Sequence, residues 1–338
     1  MKAMILKEQK SVFDDPLELV DIPTPKPIKN EVLLKVTICG VCHTDLHTVE
    51  GDFPLVIRPV IPGHQTVGVV VETGTEVTTL KVGDRVGTAW LYWACGECIY
   101  CKNDQENLCE NIKFTGLHAD GGYAEYMTAP EDFLYKLPEG FSDENAAPLL
   151  CAGIIGYRSL RLSEVKTGGK LGLYGFGASA HITIQVARHL GCEVYVFTRG
   201  DHHKKLAKEL GAIWVGDSNE IAPSELDGAI IFAPAGELVP TALKALRKGG
   251  TLALGGIHMS PIPQMNYCLL YGERTIRTVA NSTRRDGIEL ISLAAKISIK
   301  TEIEKFHLEE ANIVLKKLKE RSLRAAAVLS IDGRNDSI

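Results

Sequence analysis

The hydrophobic and polar positions divide the chain into regions with different patterns. Up to about residue 150 the hydrophobic runs are short, as at residues 32–36 and 66–71, and glycine and proline turns interrupt them often. Short β-type runs between turns are typical of antiparallel strands. The pattern therefore predicts a mostly β, partly barrel-like domain over residues 1–149.

From residue 150 to 289 the pattern changes to strands that alternate with helices. Amphipathic stretches such as residues 182–190 and 203–210 predict helices. Between them, hydrophobic runs indicate buried parallel strands at residues 171–174, 194–197, 228–232 and 251–254. The alternation predicts an α/β region with a doubly wound parallel sheet. Residues 290–338 then return to short strands and one charged helix over 308–321.

Composition narrows the class of protein. The chain has 338 residues, 45% of them hydrophobic and 23% charged, with a formal net charge of −5. This balance gives no basic footprint for nucleic acid or an anionic membrane, and no apolar run approaches the ~20 residues of a membrane span. Nine cysteines without a secretory signal pattern indicate reduced thiols and metal ligands, so we expect a cytoplasmic protein.

The densest chemical motif is a cluster of four cysteines, Cys95, Cys98, Cys101 and Cys109. Thiolates with this spacing converge on one tetrahedral Zn²⁺ more readily than they form disulfides between near neighbours. A site of four sulfurs leaves no position for water or substrate. We therefore predict a structural zinc lobe at about residues 90–112, which holds a loop and performs no chemistry.

A glycine motif opens the α/β region between its first strand and first helix. Gly175 permits a tight turn, Gly177 lets the backbone approach a pyrophosphate, Ala178 follows it, and the small Ala180 allows close packing of helix on strand. The pyrophosphate would lie at the helix N-terminus, where free N–H groups favour an anion. The motif and its context predict a dinucleotide-binding Rossmann domain over residues 150–289.

The tip of the second strand of this domain bears on which dinucleotide binds. An NAD site places Asp or Glu there to bind the ribose 2′-OH. Here the strand continues into Thr198 and Arg199, and Asp201 comes only after Gly200. A guanidinium suits a 2′-phosphate, with His202, His203 and Lys204 as possible helpers. We expect NADP(H), with NAD as the alternative; Arg199 as a solvated loop charge remains the other interpretation.

A second, dispersed set of metal ligands consists of Cys42, His64 and Cys151. One His and two Cys form a known catalytic zinc set, in which the fourth position stays open for water or substrate. Zinc in such a site is a Lewis acid that lowers the pKa of a bound alcohol. Taken singly, Cys151 could be a buried small hydrophobe and His64 a hydrogen-bonded core residue. Together with a dinucleotide domain and a zinc lobe, they predict a second, catalytic zinc.

Taken together, these motifs resemble those of the zinc-dependent alcohol dehydrogenases of the medium-chain dehydrogenase/reductase superfamily. The resemblance rests on residues 40–47 (GVCHTDLH), residues 62–64 (PGH), the four lobe cysteines, residues 151–153 (CAG) and the glycine motif. It implies a GroES-like catalytic domain formed by residues 1–149 and 290–338, and the catalytic zinc on the dispersed set. It also implies a proton relay from Thr44 through the cofactor ribose to His47, and Asp45 as the carboxylate that orients His64.

Two positions depart from the family pattern. Gln65 stands where the family usually has Glu directly after the zinc histidine, which removes a negative charge near the metal. Cys39 forms a second Cys-x-x-Cys with Cys42, so it could be an alternative ligand or a redox partner. A core thiol at the end of a strand is the interpretation that we favour for Cys39.

Two aromatic residues bear on substrate size. Phe53 and Trp90 resemble positions that line the substrate cleft in alcohol dehydrogenases that act on short-chain alcohols. Aromatic side chains at these positions favour small primary alcohols and aldehydes as substrates. The sequence thus predicts an oxidoreductase that transfers hydride between NADP(H) and such substrates, with two zinc ions per chain, and we expect it to favour aldehyde reduction. A polyol or cinnamyl-type dehydrogenase and a non-catalytic zinc- or NADPH-binding sensor are the alternatives. We expect a small-molecule substrate, no nucleic-acid or membrane partner, and a homo-oligomer.

Overall fold

A computed structural model of the chain describes residues 1–323 and 326–331. The chain divides into two units, described separately below. Unit 1 comprises Met1–Cys151, Thr283–Ala295 and Lys300–Ile338, and unit 2 comprises Ala152–Ser282 and Lys296–Ile299. The last part of the expected segment 290–338, residues 332–338, lies outside the described residues, as do residues 324 and 325.

The strands follow one another along the chain with short connections in each unit. Unit 2 contains β10 to β15 and unit 1 contains the others. In chain order the strands are β1 Lys2–Leu6, β2 Leu17–Asp21, β3 Glu31–Val41, β4 Gln65–Thr73, β5 Arg85–Thr88, β6 Leu91–Trp93, β7 Lys113–Phe114, β8 Tyr126–Pro130, β9 Leu134–Lys136, β10 Lys170–Tyr174, β11 Glu193–Phe197, β12 Trp214–Gly216, β13 Leu226–Ile231, β14 Leu246–Leu254, β15 Thr275–Thr278, β16 Ile303–His307 and β17 Ala326–Ser330.

The helices are divided between the two units. In chain order they are α1 His43–Glu50, α2 Ile99–Lys102, α3 Asp143–Ala146, α4 Ala152–Leu162, α5 Ala178–His189, α6 Asp201–Glu209, α7 Leu238–Ala245, α8 Arg284–Ile297 and α9 Ala311–Lys319. Helices α4 to α7 lie in unit 2 and the others mostly in unit 1. Short 3₁₀ turns supplement them at Val12–Asp14, Glu106–Leu108, Glu131–Phe133, Ala147–Leu150, Tyr267–Leu269 and Leu308–Glu310. Among the described residues, the model contains no helix that is long and apolar enough to cross a membrane.

Unit 1 is built around a large, mostly antiparallel sheet. Its strands run in the order β16-β17-β3-β4-β5-β9, and β8 also pairs with β3. The pairing of β16 with β17 is parallel, and the other pairings of this sheet are antiparallel. The eleven-residue β3 is the central element, since its buried side chains, including Val32, Leu34 and Val36, belong to the main hydrophobic core of the unit. This β-rich unit confirms the predicted GroES-like domain.

Unit 2 contains a six-stranded sheet in the order β12-β11-β10-β13-β14-β15, and every pairing in it is parallel. The strands that enter its core are continuous hydrophobic runs, as expected for a sheet covered on both faces. Tyr174 at the end of β10 stacks on Phe197 at the end of β11, with ring centroids 4.1 Å apart. The order is that of a doubly wound dinucleotide-binding sheet, so the predicted Rossmann domain is confirmed.

The helices of unit 2 begin earlier than their hydrophobic periodicity alone indicates. α5 begins at Ala178 and α6 at Asp201, whereas the apolar stripes predict starts at residues 182 and 203. The first turn of a helix carries little of the apolar stripe, and here each helix begins directly after a glycine. The second segment of unit 1 begins at Thr283, earlier than the predicted boundary at residue 290. Most of α8 therefore belongs to unit 1.

Candidate metal centres and cofactor site

The start of α1 carries Cys42 and Asp45 in a capping arrangement. Cys42 follows β3 and is the N-cap of the helix, and its backbone N–H donates to Asp45 Oδ2 at 2.9 Å. The Thr44 N–H approaches Cys42 Sγ at 3.4 Å. These reciprocal contacts fix both side chains relative to the helix end. His47, one turn after Thr44, lies on the same half of the helix and is half-buried.

The structure brings Cys42, His64 and Cys151 together in unit 1. The antiparallel pairing of β3 with β4 aligns Gly40 with Gln65, so the residues just beyond these strand ends are neighbours. Cys151 enters after the turn Ala147–Leu150. The ligand atoms of the three residues lie within 4.8 Å of one another.

The separations within this donor set fit a tetrahedral zinc ion. Cys42 Sγ lies 3.5 Å from His64 Nε2 and 3.8 Å from Cys151 Sγ. With Zn–S and Zn–N bonds of about 2.3 and 2.05 Å, tetrahedral angles require about 3.5 Å for the first distance and about 3.8 Å for the second. The three residues could therefore hold Zn²⁺ with one coordination position left over.

The electrostatics of the set favour a cation. His64 Nδ1 lies 3.0 Å from Asp45 Oδ1, and both side chains are buried. Burial disfavours protonated His64, but the negative charges of Asp45 and Cys42 outweigh burial and raise the pKa of His64 to about 10. The hydrogen bond from the Cys151 thiol, aided by His64, holds the pKa of Cys42 well below its usual value. The raised pKa of His64 reports a negative potential around its ring, and the lowered pKa of Cys42 favours the thiolate, which is the form that binds a metal.

The two departures from the family pattern lie next to these residues. Cys39 is fully buried in the core around β3, and its sulfur lies 3.5 Å from Thr66 Oγ1. Burial raises the pKa of this thiol, so it stays protonated and behaves as a core side chain. Gln65 is also buried, and its side chain fills the space over Gly40, where a Cβ would meet Gln65 Cβ and Oε1 at 2.9 Å.

The four lobe cysteines form a second donor set in unit 1. Their sulfurs lie within 4.8 Å of one another, and Cys95 Sγ is 3.9 Å from Cys101 Sγ. That distance matches the separation of about 3.8 Å between two sulfurs on one tetrahedral zinc. The N–H of Cys98 donates to Cys95 Sγ at 3.3 Å, and the N–H of Cys95 to Cys109 Sγ at 3.4 Å. Four thiol sulfurs could fill the coordination shell of Zn²⁺ completely.

The lobe is attached to the rest of unit 1 by an ion pair that the sequence did not indicate. Glu106, which is buried, accepts hydrogen bonds from the backbone N–H and the Nε of Arg284, at 2.6 and 2.9 Å. The Arg284 guanidinium also lies over the ring of Phe133, 4.6 Å from its centroid. These partners are 178 residues apart, so no local pattern could have indicated the contact.

A row of aromatic rings borders the dispersed donor set. The Trp90 ring lies edge-on to His64 with centroids 5.2 Å apart, and Phe53 lies 6.1 Å from Trp90. Phe53 in turn contacts the ring of His47 at 5.9 Å. Phe114, which the sequence analysis missed, stacks on Trp90 at 4.9 Å with an interplanar angle of 16°. Of the predicted pair, Trp90 therefore lies beside His64 of the dispersed donor set, and Phe53 and Phe114 both pack on Trp90.

The glycine motif of unit 2 has the features that a pyrophosphate requires. Gly175 adopts a φ of +88°, a conformation that favours glycine, and turns the chain from β10 toward α5. A Cβ on Gly177 would meet no described atom within 4 Å, so the space over this backbone is open. Gly177 is also the N-cap of α5 and supplies no capping side chain. Ala178 begins the helix, and Ala180 in its first turn is buried.

The tip of β11 leads into Thr198 and Arg199, the two residues predicted to border the cofactor ribose. Thr198 is buried, and its N–H donates to Gly216 O at 2.9 Å. Arg199 is exposed and makes no side-chain hydrogen bond or ion pair with the part of the chain that the structure describes. The Lys204 ammonium, by contrast, is 3.0 Å from Asp217 Oδ1, which makes it a weaker candidate for a phosphate contact.

Comparison with known proteins identifies the family. A family model described as "Alcohol dehydrogenase GroES-like domain" matches residues 28–139, and one described as "Zinc-binding dehydrogenase" matches residues 180–296. A probable alcohol dehydrogenase AdhA of Mycobacterium tuberculosis (strain CDC 1551 / Oshkosh) is 49% identical, over 98% of this chain and 97% of that protein. The chain belongs to the zinc-binding alcohol dehydrogenases. The predicted medium-chain family is thereby confirmed.

Solved structures in this alcohol dehydrogenase family share the fold and differ in cofactor. Acetophenone reductase from Geotrichum candidum NBRC 4597, in complex with NAD, superposes with a TM-score of 0.86 at 28% identity, covering 100% of this chain and 98% of that one. The enzyme called CAD from Helicobacter pylori, complexed with NADP(H), superposes with a TM-score of 0.85 at 26% identity, covering 98% and 99%. Membership of the family therefore does not by itself determine whether NAD or NADP binds. That preference depends on individual residues.

Proposed function

We propose that this alcohol dehydrogenase depends on zinc and transfers hydride between NADP(H) and small primary alcohols or aldehydes. The observation that carries the proposal is the convergence of Cys42 Sγ, His64 Nε2 and Cys151 Sγ within 4.8 Å. When bound, zinc would supply Lewis acidity to the substrate oxygen, and the nicotinamide would supply or accept the hydride. The four lobe cysteines would hold a second, structural zinc.

The residues around the dispersed set have separate roles in this proposal. Cys42, His64 and Cys151 bind the metal, and Asp45 orients the His64 ring through the contact at Nδ1. Thr44 and His47, one turn apart on α1, pass the proton of the alcohol toward solvent through the ribose of the cofactor. A histidine suits the outer end of such a relay because it exchanges protons near neutral pH.

Cofactor preference rests in this proposal on Arg199. The guanidinium is exposed, is not engaged with another described side chain and follows a strand tip that lacks a carboxylate. It is therefore free to pair with a 2′-phosphate, which an NAD-type Asp would repel. Gly175, Gly177, Ala178 and Ala180 would hold the pyrophosphate, and Thr198 would border the adenine ribose.

Arg199→Ala tests this assignment. We expect the KM for NADPH to rise at least 10-fold and the KM for NADH to change less than 2-fold, since about 1.4 kcal/mol corresponds to one decade. Lys205→Ala is the matched control, because Lys205 is an exposed cation on α6, the helix that follows Arg199, and it pairs with Glu209 instead. Equal changes for both cofactors in Arg199→Ala would remove the argument for NADP.

Substrate size follows from the aromatic row. Phe53 and Trp90 beside His64, with Phe114 stacked behind Trp90, leave a wall of bulky rings next to the metal ligands. Such a wall favours small primary alcohols and aldehydes over branched secondary ones. A cinnamyl-type substrate is the second candidate, supported by the likeness to a cinnamyl alcohol dehydrogenase of Sorghum bicolor, with a TM-score of 0.87 at 25% identity.

The decisive experiment is an assay of the purified, zinc-loaded chain with NADPH and NADH against a panel of aldehydes. We expect small aliphatic aldehydes to give the highest kcat/KM, and NADPH to be preferred. A higher kcat/KM for cinnamaldehyde would favour the second candidate. If no aldehyde oxidised either cofactor while both still bound, the chain would be a zinc- and cofactor-binding sensor. Metal analysis of the same preparation should find about two zinc ions per chain.

A further inference from the structure

The large sheet of unit 1 has a gap along one edge of its central strand, β3. On the opposite edge, β4 pairs with β3 from Val32 to Gly40. The edge with the gap is shared by two strands, since β8 pairs with residues 31–35 of β3 and β17 with residues 38–41. A strand has only two edges for pairing, so β8 and β17 follow one another along the same edge. Residues 36 and 37 lie opposite the space between them.

A cavity of about 350 Å³ lies at this gap, and its lining includes residues of β1, β3, β8, β16 and β17. Backbone hydrogen bonds hold its sides, because the Val36 N–H donates to Glu125 O at 2.9 Å and the Ile331 N–H to Thr37 O at 3.0 Å. The volume is at the lower end of the range for ligand pockets, roughly 300 to 1,000 Å³. The occupant of such a cavity would be a small molecule.

Ser330, at the end of β17, provides a buried polar group in this cavity. It lines the cavity and is only 4% exposed. Its hydroxyl makes no hydrogen bond with residues 1–323 or 326–331. Withdrawal of a hydroxyl from bulk water is unfavourable unless a partner replaces the water. A polar group of a bound ligand would satisfy the Ser330 hydroxyl.

The inner part of the cavity is apolar. Three of its lining side chains, Val36, Leu308 and Ile331, are buried and hydrophobic. They come from β3, from the turn that follows β16 and from the residue after β17. An apolar substituent on the ligand would remain out of water against these side chains.

Charges of both signs line the outer part of the cavity. Lys2 and Lys35 are the cations, and Glu125 and Glu309 are the anions. Lys2 Nζ lies 3.7 Å from Glu309 Oε1 and both side chains are about half exposed, so this ion pair is weak. The exposed Lys35 side chain makes no ion pair within the described part of the chain. The four charges cancel, which suits a ligand that carries one charge of each sign better than a simple anion or cation.

We propose that this cavity binds a small zwitterion with an apolar substituent, which is the chemistry of a free hydrophobic α-amino acid. Lys35 and the Ser330 hydroxyl bind the carboxylate, and Glu309 accepts from the ammonium group. The buried hydrophobic side chains contact the substituent. The lining contains none of the seven metal donors, nor Thr44 or His47, so the site is separate from that of the proposed dehydrogenase function.

Isothermal titration calorimetry of the full-length, zinc-loaded protein tests the proposal, with L-leucine, L-methionine and L-phenylalanine as probes and no cofactor present. We expect saturable binding of at least one of them, with a Kd of about 1 mM or lower, an affinity within reach of a ligand of this size. For L-leucine, the matched compounds 4-methylpentanoate and 3-methylbutylamine each lack one charge and should bind about 10-fold more weakly. Equal affinity for one of these compounds, or no saturable binding of any amino acid, would overturn the proposal.

Variants show whether the bound amino acid occupies this cavity. Ser330→Ala should raise its Kd about 5-fold through the lost hydrogen bond, and Lys35→Gln about 3-fold through the lost exposed ion pair. Lys26→Gln, at an exposed lysine outside the cavity, is the control and should leave the Kd unchanged. Unchanged affinity in both Ser330→Ala and Lys35→Gln would overturn the assignment.

A further variant separates this inference from the dehydrogenase proposal. Cys151→Ala removes a donor of the dispersed set and should bind the amino acid with unchanged Kd. Loss of binding there would mean that the amino acid binds the catalytic metal, which would overturn the cavity assignment. Conversely, Ser330→Ala should keep its rate of aldehyde reduction within about 2-fold of the wild type, because uncoupled sites act independently. A large loss of that rate would contradict the separation of the two sites.

Discussion

The two donor sets of unit 1 differ in how the chain assembles them. The lobe set, Cys95 to Cys109, comes from one short loop and offers four sulfurs. The dispersed set comes from two strand ends and a turn, with Cys42 and Cys151 separated by 109 residues, and offers three donors. A single loop can supply all four ligands of a metal ion. A coordination shell with one free position is formed here by three donors that the fold of unit 1 holds in place.

The surroundings of the two sets differ in the same way. His64 is buried, and a carboxylate stands behind its ring. Cys98 of the lobe lies near solvent, and hydrogen bonds, first that of the Cys101 backbone, lower its pKa to about 6. The dispersed set is thus stabilised by the core of unit 1, and the lobe set by its own backbone. In the proposed function, the dispersed set performs the chemistry and the lobe set stabilises its loop.

The largest expected effect comes from Cys151→Ala. Loss of one of three donors should lower kcat/KM at least about 10³-fold, equivalent to about 4 kcal/mol of transition-state stabilisation. Metal analysis should fall from two zinc ions to one, with an unchanged circular dichroism spectrum. Cys192→Ala, at a buried thiol of unit 2, is the control and should keep both metals. Retention of full activity by Cys151→Ala would break the distinction between the sets.

Cys109→Ser should affect stability rather than chemistry. Cys109 is the buried ligand of the lobe and belongs to its small hydrophobic cluster. Its loss should release the lobe zinc and lower the free energy of unfolding by several kcal/mol, because metal binding and folding of such a loop are coupled. Denaturant unfolding measures this, and Cys268→Ser, at an exposed cysteine, is the control. A variant that unfolds normally but has lost all catalysis would assign chemistry to the lobe.

Asp45→Asn tests how much the carboxylate behind His64 contributes to metal binding at the dispersed set. Removal of the negative charge behind His64 should weaken zinc binding at the dispersed set by about 10- to 100-fold, the usual range for such partners. Competition with a zinc chelator, followed by metal analysis, measures the affinity. The lobe zinc serves as an internal control and should be released at the wild-type rate. Equal weakening of both metals would indicate a global loss of structure instead.

Glu106→Gln gives the smallest expected effect. It removes the charge that faces Arg284 but keeps the size of the side chain, so the free energy of unfolding should fall by about 1 to 2 kcal/mol. Activity at saturating substrate should stay within 2-fold of the wild type. Glu110→Gln, at an exposed carboxylate of the same lobe, should change neither quantity. A loss of activity comparable with that of Cys151→Ala would mean that the lobe acts on the catalytic centre.

The sequence predicts these regions to different degrees, for physical reasons. The lobe could be predicted from spacing alone, because near neighbours along a chain must be near in space. Cys42, His64 and Cys151 required the context of a dinucleotide domain and a family resemblance, because their convergence depends on the pairing of β3 with β4. The strands of unit 2 were predictable since buried parallel strands are continuous hydrophobic runs.

The contacts that the sequence missed depend on tertiary structure. Phe114 stacks on Trp90 across the pairing of β6 with β7. Arg284 bonds to Glu106 although most of unit 2 lies between these two residues in the sequence. The contact of Asp52 Oδ2 with His47 Nδ1, at 2.6 Å, is an exception, because Gly51 is a helix stop that could have indicated the return of the chain toward His47.

The position of β17 has a consequence for the order in which the protein is made. β17 pairs with β3, yet it leaves the ribosome only after the whole of unit 2. All seven metal donors are therefore synthesised long before the sheet that supports three of them can be completed. Unit 2 can fold as its strands emerge, whereas the nascent unit 1 exposes the edge of β3 at residues 38–41 until β17 arrives. We expect chaperones to bind the nascent chain mainly before β17 emerges. Chains that terminate prematurely in that period should lack a complete sheet in unit 1.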